Sequence, residues 1–251
     1  MHFKPLTLLA PLAALIATPA FADCSALPSH ADLKAALTEA RKQDNGGFNL
    51  DMWGTLVDRS GTVCAVAYTG ANEGDQWPGS RVISAQKANT ANAFSLPGLA
   101  LSTANLYSAV QPGGSLFGLQ ESNPVATDVA YAGAASAFGT EGDPMVGKRI
   151  GGVNVFGGGL ALYNEKGQLL GGLGVSGDSS CADHNIGWRT RHSLKLDFIP
   201  GGVAGDKSDT AIYDVKAGKS AGGFGHPVCA GKENAIAAKL PKIAKIAPVK
   251  K

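Results

Sequence analysis

The residues best equipped for chemistry crowd into Cys181 to His192. Twelve residues hold a thiol, the Asp183 carboxylate, two imidazoles (His184, His192) and two guanidiniums (Arg189, Arg191). An imidazole can ligate a metal, and a guanidinium binds carboxylates bidentately. On a helix, His184 and His192 project about 80° apart, so they do not share a face. Trp188 lies one turn beyond His184. Zinc would need further ligands at suitable spacing, and Cys181 is better accounted for as oxidised. His226, in Gly225-His226-Pro227, is a second candidate ligand. The plain reading of each histidine is a structural one.

The elements that must position these residues are written just before them. Leu160 to Tyr163 and Gln168 to Val175 read as strands around the turn Asn164-Glu165-Lys166-Gly167. Ser176-Gly177-Asp178 breaks the second strand, and Ser180 with Asp183 reads as a capping box opening a helix. Gly172-x-Gly174-x-x-Gly177 matches a dinucleotide fingerprint in letters only. Its first two glycines fall inside a strand, and no parallel strand follows at βαβ spacing. Strand glycines instead permit a close approach, by another part of the chain or by a ligand. Ser176 lacks the last glycine of a nucleophile elbow, since Asp178 stands there. The amides from Gly177 through Ser179 to Ser180 are a candidate anion site at a helix N-terminus.

The same stretch resembles the GlcG/HbpS-like haem-binding proteins. The resemblance rests on Gly158-Gly159, Gly167, the run Leu170-Gly171-Gly172-Leu173-Gly174-Val175-Ser176-Gly177, and Asp183. Upstream it takes in Val57-Asp58 with Gly61, and Ser84 to Ala91 with Phe94, like the family's A-x-K-A-x-x-A helix. It spans about Leu33 to Leu196. The chain departs from the pattern at Leu160-Ala161-Leu162, where a proline is expected after the paired glycines. It departs also in the long Gln111–Arg149 loop and after Asp197. The resemblance implies a profilin-like or roadblock-like domain, a haem ligand and a homo-oligomer. It implies the macrocycle on the sheet near Gly172 and Gly174, with His184 or else His226 as the iron ligand. Lys87, Arg81, Arg189 and Arg191 would then meet the propionates. Their plain reading is ordinary surface charge, and that of Asp183 is a cap.

Composition narrows the alternatives. Residues 1–22 read as a secretory signal peptide: Lys4, an apolar run from Leu6 to Thr18, and Ala20-Phe21-Ala22. A periplasmic or secreted product starting near Asp23 follows, with no second run of membrane length. The formal charge of +2 falls to +1 without Lys4, too little for a basic nucleic-acid face. The lysine-rich last twenty residues read as a solvated, partly extended tail. Cys24, Cys64, Cys181 and Cys229 all follow the leader. Of their three possible connectivities, Cys24–Cys64 and Cys181–Cys229 are favoured. The first would fasten the N-terminus to the first hairpin, and the second the tail to the last core helix.

Ser29 with Asp32 should cap a helix bearing Leu33, Ala36, Leu37 and Ala40. Asp51–Val57 and Thr62–Tyr68 should pair as a hairpin. Ser80 should cap a helix ending near Phe94, and Leu99–Val110 should form a short one. The Gln111–Arg149 loop holds no period beyond a short alanine-rich helix within Val125–Phe138, and its length suggests a lid or an oligomer contact. Thr210–Val215 is a candidate strand. These elements give an α+β domain over 23–200, with one antiparallel sheet and packed helices, and a disulfide-anchored extension with a basic tail over 201–251. Three functions remain: an exported haem- or tetrapyrrole-binding protein, an enzyme or sensor for a small carboxylate, and a non-catalytic oligomer-forming module. No acid–base pair or reaction can be named.

Overall fold

The computed structural model describes residues 23–229 and 231–246; residues 1–22, where the sequence reading places a signal peptide, and the last five residues lie outside them. Helix α1, His30–Arg41, opens as its letters require. Ser29 Oγ accepts from Asp32 N, and the Asp32 carboxylate accepts from Ser29 N, both at 3.2 Å. Its Leu33, Ala36, Leu37 and Ala40 are buried. Strands β1 (Trp53–Asp58) and β2 (Val63–Tyr68) form the first hairpin, and β3 (Gly159–Tyr163) and β4 (Leu169–Ser176) the second. The four make one antiparallel sheet in the order β2-β1-β4-β3. Helix α2 is Ser80–Phe94 and α3 is Ser180–Ser193.

Both faces of the sheet are covered, which is why its strands read as near-continuous apolar runs. Leu56, Ala65 and Leu173 pack against Leu33 and Leu37 of α1 and Ile186 of α3. Val57, Val63 and Val66 pack against Val82, Ala85 and Ala88 of α2. The strand glycines belong to this second layer. A Cβ on Gly172 would stand 2.3 Å from Ala88 O, and one on Gly174 1.8 Å from Ser84 O. Helix α2 therefore rests directly on the strand, with Ala85, Ala88 and Ala91 fully buried. The surface expected to receive a macrocycle is filled by the protein's own helix.

Several local expectations need correction. Gly79, not Ser80, precedes α2, and it offers no side-chain cap. Ser179, not Ser180, caps α3 by accepting from Ala182 N. Leu99–Val110 holds two 3₁₀ turns, Thr103–Leu106 and Ser108–Val110. The Gln111–Arg149 loop contains the single turns Leu119–Ser122 and Thr127–Ala130 and a 3₁₀ turn at Ala135–Ala137. Thr210–Val215 contributes only an isolated bridge, Ile212 to Gly225. Both favoured disulfides, Cys24–Cys64 and Cys181–Cys229, are present.

The chain after α3 folds back over the domain. Ile199 joins Ala161 and Tyr163, and Ile243 packs beside them. A five-residue helix α4 (Glu233–Ala237) precedes the tail, whose Pro241 carbonyl accepts from Trp188 Nε1 at 2.8 Å. The tail is extended, but it is anchored. Among the described residues, no helix is long and apolar enough to cross a membrane.

Replacing Gly174 with Ala should test the helix–strand contact. We expect a loss of about 1–3 kcal/mol in a urea melt, the usual cost of overpacking. Gly98→Ala, with nothing within 4 Å of its Cβ, should change stability by less than about 0.5 kcal/mol. Equal effects would contradict the direct seating of α2.

Candidate functional site

The residues singled out from sequence are mostly spent inside the fold. Lys87 of α2 reaches past the end of β4 to Asp183 of α3, Nζ to Oδ2 2.8 Å, and also donates to Val175 O at 3.2 Å. Gly158, at φ +122°, leaves the passage open: a Cβ there would come within 2.9 Å of the ammonium. The other Asp183 oxygen accepts from Asp178 N at 2.9 Å. Asp183 thus holds a lysine and a turn amide, and does not close a capping box with Ser180. Both partners are fully buried, and burial pushes each toward neutrality: Lys87 falls below its ordinary range and Asp183 rises to about 6.

Arg191 is equally committed. Its guanidinium grips Asp209 with two 2.7 Å bonds and donates to Ala161 O at 3.1 Å. Arg189, at the surface, bonds Gln43, Asn45 and the Asp44 carbonyl. His184 Nε2 accepts from Ala211 N at 3.2 Å, while Nδ1 is buried without a partner. His226 Nε2 accepts from Gly157 N at 3.2 Å, and Nδ1 donates to Pro227 O at 2.8 Å. Burial holds His184 at about 3 and His226 at about 4, so both rings are neutral packing groups. Neither presents a nitrogen to solvent.

The expected anion site at the start of α3 is served from within. Asp178 accepts from the amides of Phe48, Leu50 and Ser179, and Glu233 accepts from Ser179 Oγ and Gly47 N, each at 3.1 Å. These internal carboxylates satisfy the helix end electrostatically. The structure therefore brings Lys87 and Asp183 together, seals both histidines, and leaves no exposed cradle at Gly177, Ser179 and Ser180.

An open site lies elsewhere, at the start of α2. A cleft of ≈ 450 Å³ is lined by Trp53, Tyr68, Pro78, Arg81, Tyr131 and Phe138, among others. Trp53 and Tyr68 are register partners on β1 and β2, with rings stacked at 4.6 Å. Gly139, at φ +72°, lets the loop press on them; a Cβ there would stand 2.7 Å from the Trp53 ring. Arg81 is fixed by Asp143 and by Ala130 O at 2.8 Å, and lies 3.7 Å from the Phe138 centroid. Tyr131 stands at the rim, 67% exposed. Volume and lining suit a small-molecule site, and the aromatic walls with a fixed guanidinium suit a flat, partly apolar anion. Sequence reasoning missed this cleft. Of its lining, sequence singles out only Arg81, as a propionate partner; the aromatics Tyr131 and Phe138 in a long irregular loop are its other signals.

The profile of the haem-degrading HbpS-like proteins matches residues 30–189. The chain belongs to the HbpS-like family. All six named cleft residues fall inside the matched span. Among solved structures, the chain is similar to a PduOC–haem complex, at 27% identity over 66% of this chain and 94% of that one, with a TM-score of 0.46. Klebsiella pneumoniae protein ORFY shares 24% identity over 66% and 87%, TM-score 0.43. A double mutant of Streptomyces reticuli HbpS shares 17% over 76% and 99%, TM-score 0.45. No curated protein matches the chain.

The sealed histidines set a pH dependence. Unfolded, each takes up a proton near pH 6.5; folded, His226 and His184 do so only near 4 and 3. The unfolded chain binds more protons across that window, so stability is full above about 6.5 and is lost toward 4 and 3. Asp183 acts in the opposite sense between 3.8 and about 6, one carboxyl against two imidazoles. We expect a lower urea midpoint at pH 4.5 than at pH 7. NMR of the ring carbons should show His184 and His226 neutral at pH 5. A titration midpoint near 6.5 for either would contradict its burial.

Proposed function

We propose that this protein binds haem or a related tetrapyrrole, and that the macrocycle enters the aromatic cleft between Trp53, Tyr68, Tyr131 and Phe138. Membership of the HbpS-like family, over the span that builds the cleft, is the observation that carries this reading. The residues present fit the group. Trp53, Tyr68 and Phe138 offer aromatic surface to a planar ring. Arg81 spends three of its five N–H groups on Asp143 and Ala130, leaving donors beside the cleft for a carboxylate edge. Tyr131 supplies an exposed phenol, a side chain able to ligate haem iron. The bound iron would supply redox and axial-ligand chemistry; the chain's own residues bind and orient the ring and shield one face from water.

Export is part of the same proposal. The leader-like residues 1–22 support it, as do two disulfides with no free cysteine among the described residues.

Hemin titrated into the purified protein should give a saturable Soret change with quenching of tryptophan fluorescence. Tyr131→Ala should weaken binding about tenfold, in the range of a buried aromatic contact, and Tyr131→Phe should shift the ferric Soret band without a comparable loss of affinity. His192→Ala, at an exposed position away from the cleft, should leave both unchanged. No saturable change would refute haem binding. A band moved by His226→Asn but not by Tyr131→Phe would place the ring elsewhere.

A further inference from the structure

A second cleft, of ≈ 810 Å³, opens where the tail folds back over the end of α3. Its chemistry differs from that of the aromatic cleft. Trp188 and Ile199 come from the domain, Tyr213 from the segment after it, and Leu240, Ile243 and Ile246 from the tail. Aliphatic side chains dominate these walls. Lys242 and Lys245 stand exposed at the edge, and neither has an ion-pair partner among the described residues. Asp206 is the one acidic residue in the lining.

We propose that this cleft binds an amphipathic carboxylate with a long alkyl chain, its tail against the aliphatic wall and its head group at Lys242 and Lys245. Charge complementarity favours the anion over the corresponding amine, and the aliphatic lining favours an acyl chain over a flat ring. A chain of about twelve carbons extends roughly 15 Å on standard bond geometry. Such a ligand would bridge the tail and the domain, which are joined here by few polar contacts beyond the Trp188 Nε1 bond to Pro241 O. The site is independent of the haem reading, because it shares no lining residue with the aromatic cleft.

Isothermal titration of the whole mature protein with laurate, below its micelle concentration, tests the assignment. We expect saturable one-to-one binding, at least tenfold weaker for dodecylamine. Lys242→Glu with Lys245→Glu should weaken laurate about tenfold or more while leaving circular dichroism and the hemin titration unchanged. Equal binding of laurate and dodecylamine would reduce the cleft to an apolar patch and overturn the proposal, as would an unchanged affinity in the double lysine variant. Loss of laurate binding in Tyr131→Ala would place the acyl ligand in the aromatic cleft, and would overturn it too. Absence of hemin binding with laurate binding intact would refute the haem reading alone.

Discussion

The Lys87–Asp183 pair constrains more of this molecule than any other contact. Two charges taken fully out of water are tolerable only against each other, with their remaining bonds satisfied. Lys87 does this by reaching from the helix on one face of the sheet to the helix on the other, touching Val175 O at the end of β4 on the way. Asp183 completes its shell on Asp178 N. Three layers are thereby fixed in register at one point. Gly158 has to be a glycine for the lysine to pass, and α2 has to lie close enough for its four-carbon stem to span the gap. Gly172 and Gly174 provide that closeness by removing the side chains that would hold the helix off.

Once α2 is seated, the rest of the architecture loses its freedom. The sheet's second face is closed by α1 and α3, and the chain after Ile199 closes the far end. Arg191 and Asp209 pin that segment from below, and the amide of Ala211 then meets the His184 ring. The Cys181–Cys229 bridge holds His226 against Ser180 at the start of α3. Groups that look reactive in the sequence therefore become interior fastenings. Their protonation states follow from the same burial, with imidazoles held neutral and Asp183 raised.

Much of the frame was legible from residue types because it depends on neighbours in sequence. The Ser29–Asp32 cap, both hairpins and the apolar stripe of α1 are local patterns, and the structure keeps them. The four cysteines left three connectivities open, and the favoured one is the one present. The strand glycines were ambiguous for a physical reason. A missing Cβ announces that something comes close, but not whether it is a helix or a ligand; Ala85 and Ala88 were the residues that decided it. Similarly, His184 and Arg191 carry the same letters whether exposed or sealed, and the sealing residues Ala211 and Asp209 lie in the extension, twenty or so positions away. The aromatic cleft was the hardest to read. It draws Trp53 and Tyr68 from a hairpin, Arg81 from a helix and Tyr131 with Phe138 from an irregular loop, so no window of sequence contains it.

A sheet covered on both faces leaves its margins for ligands, and the aromatic and the aliphatic cleft both lie there. The first forms where β1, β2 and the start of α2 meet the long loop; the second forms where α3 meets the tail. At each margin the core supplies a rigid wall, Trp53 with Tyr68 in one case and Trp188 with Ile199 in the other. A peripheral segment supplies the other wall: the Gln111–Arg149 loop or the residues after Leu240. The walls with core residues cannot change without disturbing packing, whereas Tyr131, Lys242 and Lys245 are exposed and can. Ligand specificity at either cleft would therefore be set by residues that contribute little to the stability of the sheet. Ligand chemistry can diverge in such a fold while the Lys87–Asp183 fastening and the glycine-seated helix stay as they are.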